Sequence, residues 1–149
     1  MRPATEDGCF VGQEYERLGA VGILNVEKPL DAEGGRSCVL YNLDRVKEAD
    51  ELVLVEGYWS VFRLYRLGIP AVALMGRDLS PHQEDLLAAS GTERLVLLLD
   101  GDGPGREAAA AILPRLARRF VVRLAELPEG RQPDTVAEEV LGRLLVVPS

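Results

Sequence analysis

The chain has 149 residues, is 47% hydrophobic and carries a formal net charge of −7. That is enough for one domain with a real core. No apolar run approaches the roughly 20 residues that span a bilayer, and the acidic balance weighs against a protein that coats a duplex through Lys and Arg. Cys9 and Cys38 lie far apart and form no C-x-x-C pair, and no apolar h-region follows Arg2, so a reducing, cytoplasmic setting is expected.

In chain order, residues 1–50 are irregular and punctuated by glycine. Residues 21–26 and 37–41 read as strands, antiparallel if they pair, around a polar loop at 27–36, and 42–49 as a short helix. From residue 50 the pattern alternates. Residues 52–56 predict a strand, 59–67 a helix with Gly68 past its end, and 71–75 a second strand. Ser80-Pro81-His82-Gln83 predicts a helix start, with Ser80 as N-cap and Gln83 closing a capping box. That helix runs to about Ser90. Residues 94–100 predict a strand, 105–118 a helix that Pro114 kinks or shortens, 120–124 a strand, and 134–145 a last helix capped by Asp134. Strands alternating with helices of this length argue for βαβ units and a parallel sheet.

Two of the strands end in acid followed by glycine: Leu52-Val53-Leu54-Val55-Glu56-Gly57 and Leu95-Val96-Leu97-Leu98-Leu99-Asp100-Gly101-Asp102. Ligands of open parallel sheets sit at the carboxyl ends of the strands. Glu56, Asp100 and Asp102 are therefore expected at one edge, as a hard-oxygen site for Mg²⁺ or Mn²⁺. Glu56 is also placed to act as a general acid or base. Arg77, at a strand end, and Arg106, at a helix start, are candidate phosphate contacts. Lys47 is expected to line the cleft. Trp59 reads as a ring buried against the sheet, with base stacking as the alternative, and His82 as a surface residue. The Gly-Asp-Gly-Pro-Gly run is not a Walker A loop, because no Gly-Lys-Ser/Thr follows it.

Residues 40 to 138 resemble the TOPRIM domain, the catalytic fold shared by DnaG-type primases, topoisomerases, OLD-type nucleases and recombination mediators. The primase branch is the nearest in pattern. The resemblance rests on Leu40-Tyr41-Asn42-Leu43-Asp44-Arg45, Val55-Glu56-Gly57-Tyr58, Ala73-Leu74-Met75-Gly76 with Leu79-Ser80, Leu99-Asp100-Gly101-Asp102 with Gly105, and Leu127-Pro128-Glu129-Gly130 before Pro133-Asp134. It implies a Rossmann-like parallel sheet of about four strands flanked by helices over 40–149. Residues 1–39 would be an N-terminal segment, a remnant of the subdomain that precedes this fold in primases. It implies Glu56 as the general acid/base or metal-linked glutamate, Asp100 and Asp102 as metal ligands, and Asp134 as a further acid. Ser60 and Gln132 stand where such primases carry aspartate, and each removes a carboxylate from the metal edge.

The resemblance implies Mg²⁺- or Mn²⁺-dependent nucleotidyl transfer in primer synthesis, within a replication or mobile-element protein. The partners it implies are single-stranded DNA or RNA, nucleoside triphosphates and a helicase or other replication protein, with no membrane. Two further readings stand beside it: a non-catalytic TOPRIM module that binds nucleic acid or a partner, and a small nuclease of the same fold.

Overall fold

The computed structural model describes residues 39–145. The expected strands at 21–26 and the start of 37–41, the loop at 27–36, and both cysteines lie outside these residues. The elements run α1 (Leu43–Val46), β1 (Glu51–Val55), α2 (Tyr58–Arg66), β2 (Ala71–Ala73), α3 (Pro81–Ala89), β3 (Arg94–Leu97), α4 (Gly103–Leu116), β4 (Val121–Leu124) and α5 (Glu138–Leu145). The strands form one parallel sheet in the order β2-β1-β3-β4. Tyr41 adds an isolated antiparallel bridge to Ala73.

Strand residues alternate between two cores, as a two-residue period requires. Val53, Val55, Val96 and Leu98 face α2 and α5, meeting Val61, Leu64, Leu141 and Leu145. Leu52, Leu54, Leu95 and Leu97 face the other way, against α1, α3 and α4, meeting Leu43, Leu87, Ile112 and Leu116. Burying each such side chain contributes about 1.5–3 kcal/mol. A sheet covered on both sides explains why these strands read as unbroken apolar runs.

The capping box forms as expected: Ser80 Oγ accepts from the Gln83 N–H at 3.0 Å, and Gln83 Oε1 accepts from the Ser80 N–H at 2.9 Å. The buried Gln83 amide also donates to the Val39 and Leu74 carbonyls, tying α3 to the sheet.

Several boundaries differ from the sequence expectation: β2 ends at Ala73 and α1 spans only Leu43–Val46, and three further differences bear on the site. β3 stops at Leu97, although the Leu98 N–H still donates to the Leu54 carbonyl at 2.9 Å. α4 begins at Gly103, because Asp102 and not a later residue caps it. Its Gly-Pro-Gly first turn is tolerated there, since the first N–H groups of a helix have no intrahelical partner. The last helix begins at Glu138, four residues after Asp134. Residues 132–136 instead form a turn, in which Gln132 O accepts from the Thr135 and Val136 N–H groups. The buried side chain of Val136 pins that turn to the core.

Candidate metal and phosphate site

β1 delivers Glu56 one residue beyond its end, and β3 delivers Asp100 three residues beyond its own. Because β1 and β3 are neighbours, the two acids meet at the carboxyl edge of the sheet. The Asp100 N–H donates to Glu56 Oε2 at 2.8 Å. Arg77, from the loop after β2, donates through Nε to Glu56 Oε1 at 3.1 Å. Glu56's side chain is only 11% exposed, and a carboxylate so enclosed needs such partners. Both of its oxygens are held, so its orientation is fixed.

Asp100 is half-buried, and its carboxyl is pushed up from 3.8 to about 7. Burial is the largest cause. The facing Glu56 follows, through its charge and a side-chain hydrogen bond, and then the charges of Asp102 and Asp134. A carboxyl raised this far is part-protonated near neutral pH, and a cation beside it would favour its ionised form.

A cleft of about 270 Å³ opens over the pair. Glu56, Asp100 and Asp134 line it, with Ser60, Gln132, Met75, Tyr58 and Trp59. The Ser60 and Gln132 positions therefore do face the acids. Met75 holds a left-handed backbone (φ 60), a conformation that costs energy in a non-glycine residue and gathers at functional sites. It turns the chain so that the Gly76 N–H reaches the Glu56 carbonyl. α2 opens on the same cleft with no side-chain cap and no acid in its first turn, an arrangement favourable to an anion.

Asp102 lies apart from this cleft's lining. Its Oδ1 accepts from the Gly105 N–H at 2.7 Å and caps α4. It still adds its charge to the field at Asp100. Arg106 forms an ion pair with Glu129. Lys47 is exposed and ends α1 four residues before β1, on the side where the strands begin and away from the acids. Trp59 is not buried against the sheet: it is 63% exposed, because it sits on the outer side of α2 while Val61 and Leu64 take the core positions.

Sequence reasoning missed Arg63. Its guanidinium donates to the Asp134 carbonyl at 3.0 Å and the Val136 carbonyl at 2.9 Å. It holds the turn that brings Asp134 to the cleft. Its partners lie more than 70 residues away, so no local pattern reveals it.

The backbone under the site is close-packed. The Gly101 N–H donates to the Arg131 carbonyl at 2.8 Å, and the Gly130 N–H donates to the Gly101 carbonyl at 2.7 Å. A Cβ on Gly101 would lie 2.3 Å from the Pro128 carbonyl oxygen, and one on Gly105 would lie 2.1 Å from that of Asp100. Both positions need glycine for backbone approach.

The donor set suits a hard divalent cation. Among the described residues, no three His, Cys, Asp or Glu side chains converge as a ready-made ligand group. Mg²⁺ does not require one: it is commonly held by one or two carboxylates, with water and substrate phosphates completing its shell. Glu56 and Asp100 are the two carboxylates joined at this edge.

These features define a class: a parallel α/β domain that presents paired acids at the carboxyl edge of its sheet. A family model described as Toprim-like matches residues 53–137, and the chain belongs to that family. Glu56, Asp100, Asp102 and Asp134 all lie within the match. The chain is 37% identical over 108 residues to a DNA primase of Myxococcus xanthus, covering 68% of this chain and 18% of the relative. It is 38% identical over 96 residues to the DNA primase of Aquifex aeolicus, covering 63% and 19%. The solved zinc-binding and RNA polymerase domains of the Aquifex aeolicus primase superpose with a TM-score of 0.61 at 36% identity, over 70% of this chain and 28% of that one. A DnaG primase catalytic domain bound to single-stranded DNA gives 0.59 at 31% identity, over 70% and 35%. The chain thus spans about a fifth of the length of the curated relatives it matches. No helix among the described residues is long and apolar enough to cross a membrane.

Proposed function

We propose that this chain supplies the cation- and phosphate-binding half of a primase-type nucleotidyl transfer, in which primers are made on single-stranded DNA. The convergence of Glu56 and Asp100, with Asp100 raised to about 7, carries the reading. The Toprim-like family and the primase relatives support it. Glu56 and Asp100 would hold Mg²⁺ or Mn²⁺, with Asp134 across the cleft and Asp102 contributing charge. The bound ion supplies electrostatic stabilisation of phosphate oxygens as charge develops on them.

This chain's own groups do the rest. Glu56, held at Oε2 by the Asp100 N–H and at Oε1 by Arg77, orients the site, and Oε1 is the oxygen exposed to substrate when Arg77 turns away. Arg77, 53% exposed, is free to swing from Glu56 to an arriving phosphate. The first turn of α2 offers N–H groups to the same phosphate. We assign this unit to residues 40–149. Residues 1–39 would be the N-terminal segment, and a template-gripping surface and a helicase-type partner would come from outside this unit.

The test is Mn²⁺-dependent product formation by the full chain on single-stranded DNA with labelled nucleoside triphosphates, beside Glu56→Gln. Extension lost in Glu56→Gln supports the reading. Cleavage of the DNA would assign a nuclease. Retained cation binding without either product would assign a binding module, the reading that Ser60 and Gln132 favour.

A further inference from the structure

Trp59 is 63% exposed, yet it lines the same cleft as Glu56 and Asp100. Such exposure costs a large apolar ring its burial energy unless something covers it in use. The indole is braced: its centroid lies 5.6 Å from Phe62 at 82° and 5.4 Å from Tyr58 at 46°. Neither neighbour lies parallel on it. Phe62 and Tyr58 are in turn packed on the core and on Tyr41. A flat ring held by its neighbours gives up little freedom when something stacks on it.

Taken with the cleft reading above, on which it rests, this arrangement leads us to infer that Trp59 is a stacking platform for a nucleobase whose phosphate lies at the Glu56–Asp100 pair. Every base has a π-face, and stacking on an exposed aromatic ring is how single-stranded nucleic acid is gripped without sequence readout. The acid-lined floor favours this occupant over a protein's apolar surface. Polar Gln132 and Asp134 share the cleft with the ring, so its acid-side wall is polar and unlike an apolar protein-docking patch. The site pairs one aromatic plane with a cation-dependent phosphate seat, which is the chemistry of a nucleotide unit. Trp59 would position the base and leave the reacting atoms to the acids.

The chain contains a single tryptophan, so its emission reports this ring alone. The full chain is titrated with a short oligothymidylate and with an abasic oligomer of equal length, each with and without Mn²⁺. Emission is followed directly, and affinity is followed by anisotropy of the labelled oligomers for wild type, Trp59→Leu, Trp59→Tyr and Asp100→Asn. The expected result is Mn²⁺-dependent quenching by oligothymidylate and little by the abasic oligomer. Trp59→Leu should bind oligothymidylate about tenfold or more weakly, Trp59→Tyr should recover most of that loss, and abasic binding should be unchanged in both. Because the ring is exposed, these variants should fold as wild type does. If Trp59→Leu binds both oligomers as wild type does, the platform is overturned. The cleft reading then still stands, provided abasic binding needs Mn²⁺ and is lost in Asp100→Asn. If neither oligomer binds wild type with Mn²⁺, both fail together.

Discussion

The Asp100 backbone N–H and the Glu56 carboxylate, 44 residues apart, are joined by a 2.8 Å hydrogen bond that ties the ends of the two central strands. One acid thus serves as a structural partner to the backbone of the other. The cleft's charge and the sheet's edge are one arrangement, and changes to either acid should be felt in both stability and binding.

The raised carboxyl of Asp100 gives a signed pH dependence. Its value is about 7 in the folded chain against 3.8 ordinarily, so the native state binds more protons between those two values. Its contribution to stability is full below about pH 4 and is lost as pH rises through about 7. Asp100→Asn should therefore melt higher than cation-free wild type at about pH 8, with the gap shrinking towards about pH 5. Thermal melts of both proteins across that range, in a chelating buffer, check this. A gap independent of pH would refute it.

Gly101→Ala should destabilise the domain by about 1–3 kcal/mol, since the new methyl meets backbone that cannot give way. Gly103→Ala is the control: a Cβ there meets nothing within 4 Å, and it should change stability little. Denaturant unfolding of the two variants measures the difference.

Arg63→Met should cost about 1.5–3 kcal/mol, because two carbonyls lose a charged donor. The loss should be local first. Hydrogen exchange should rise at residues 132–137 before it rises in the sheet, and cation affinity should fall as Asp134 loses its fixed place.

Two substitutions probe the cleft's charge. Gln132→Asp restores an acid to the lining and should tighten Mn²⁺ binding several-fold, about 1 kcal/mol. Arg77→Ala removes the cation beside Glu56. It should tighten Mn²⁺ alone by about two- to fivefold while weakening Mn²⁺-dependent binding of a nucleoside triphosphate. Titrations of the ion with and without nucleotide separate these opposite effects.

The two central strands were legible because Leu52-Val53-Leu54-Val55 and Leu95-Val96-Leu97-Leu98 are buried on both faces and so carry no polar interruption, and the edge strands followed from their alternation with helices. The helix at Pro81 was legible because Ser80 and Gln83 form a local signal. Glu56 and Asp100 were legible as acids ending such runs. The rest was set by distance in the chain. Asp134 looks like a helix cap, but Arg63 and the Gln132–Val136 turn hold it outside the helix. Asp102 looks equivalent to Asp100, yet one of its oxygens is taken by the Gly105 N–H. Trp59 looks like core by its hydrophobicity, but the helix phase set by Val61 and Leu64 turns it outward. Arg77 and Arg106 look like free phosphate contacts, and their carboxylate partners come from other loops.

Whether Glu56 and Asp100 form a divalent-cation site is read from a calorimetric Mn²⁺ titration of the full chain beside Asp100→Asn and Asp102→Asn. Wild type should bind Mn²⁺ saturably, and Asp100→Asn should abolish that binding. Asp102→Asn should retain binding in weakened form with little change in melting temperature, because an Asn Oδ1 can still accept from the Gly105 N–H and cap α4. Equal heats for wild type and Asp100→Asn would contradict it.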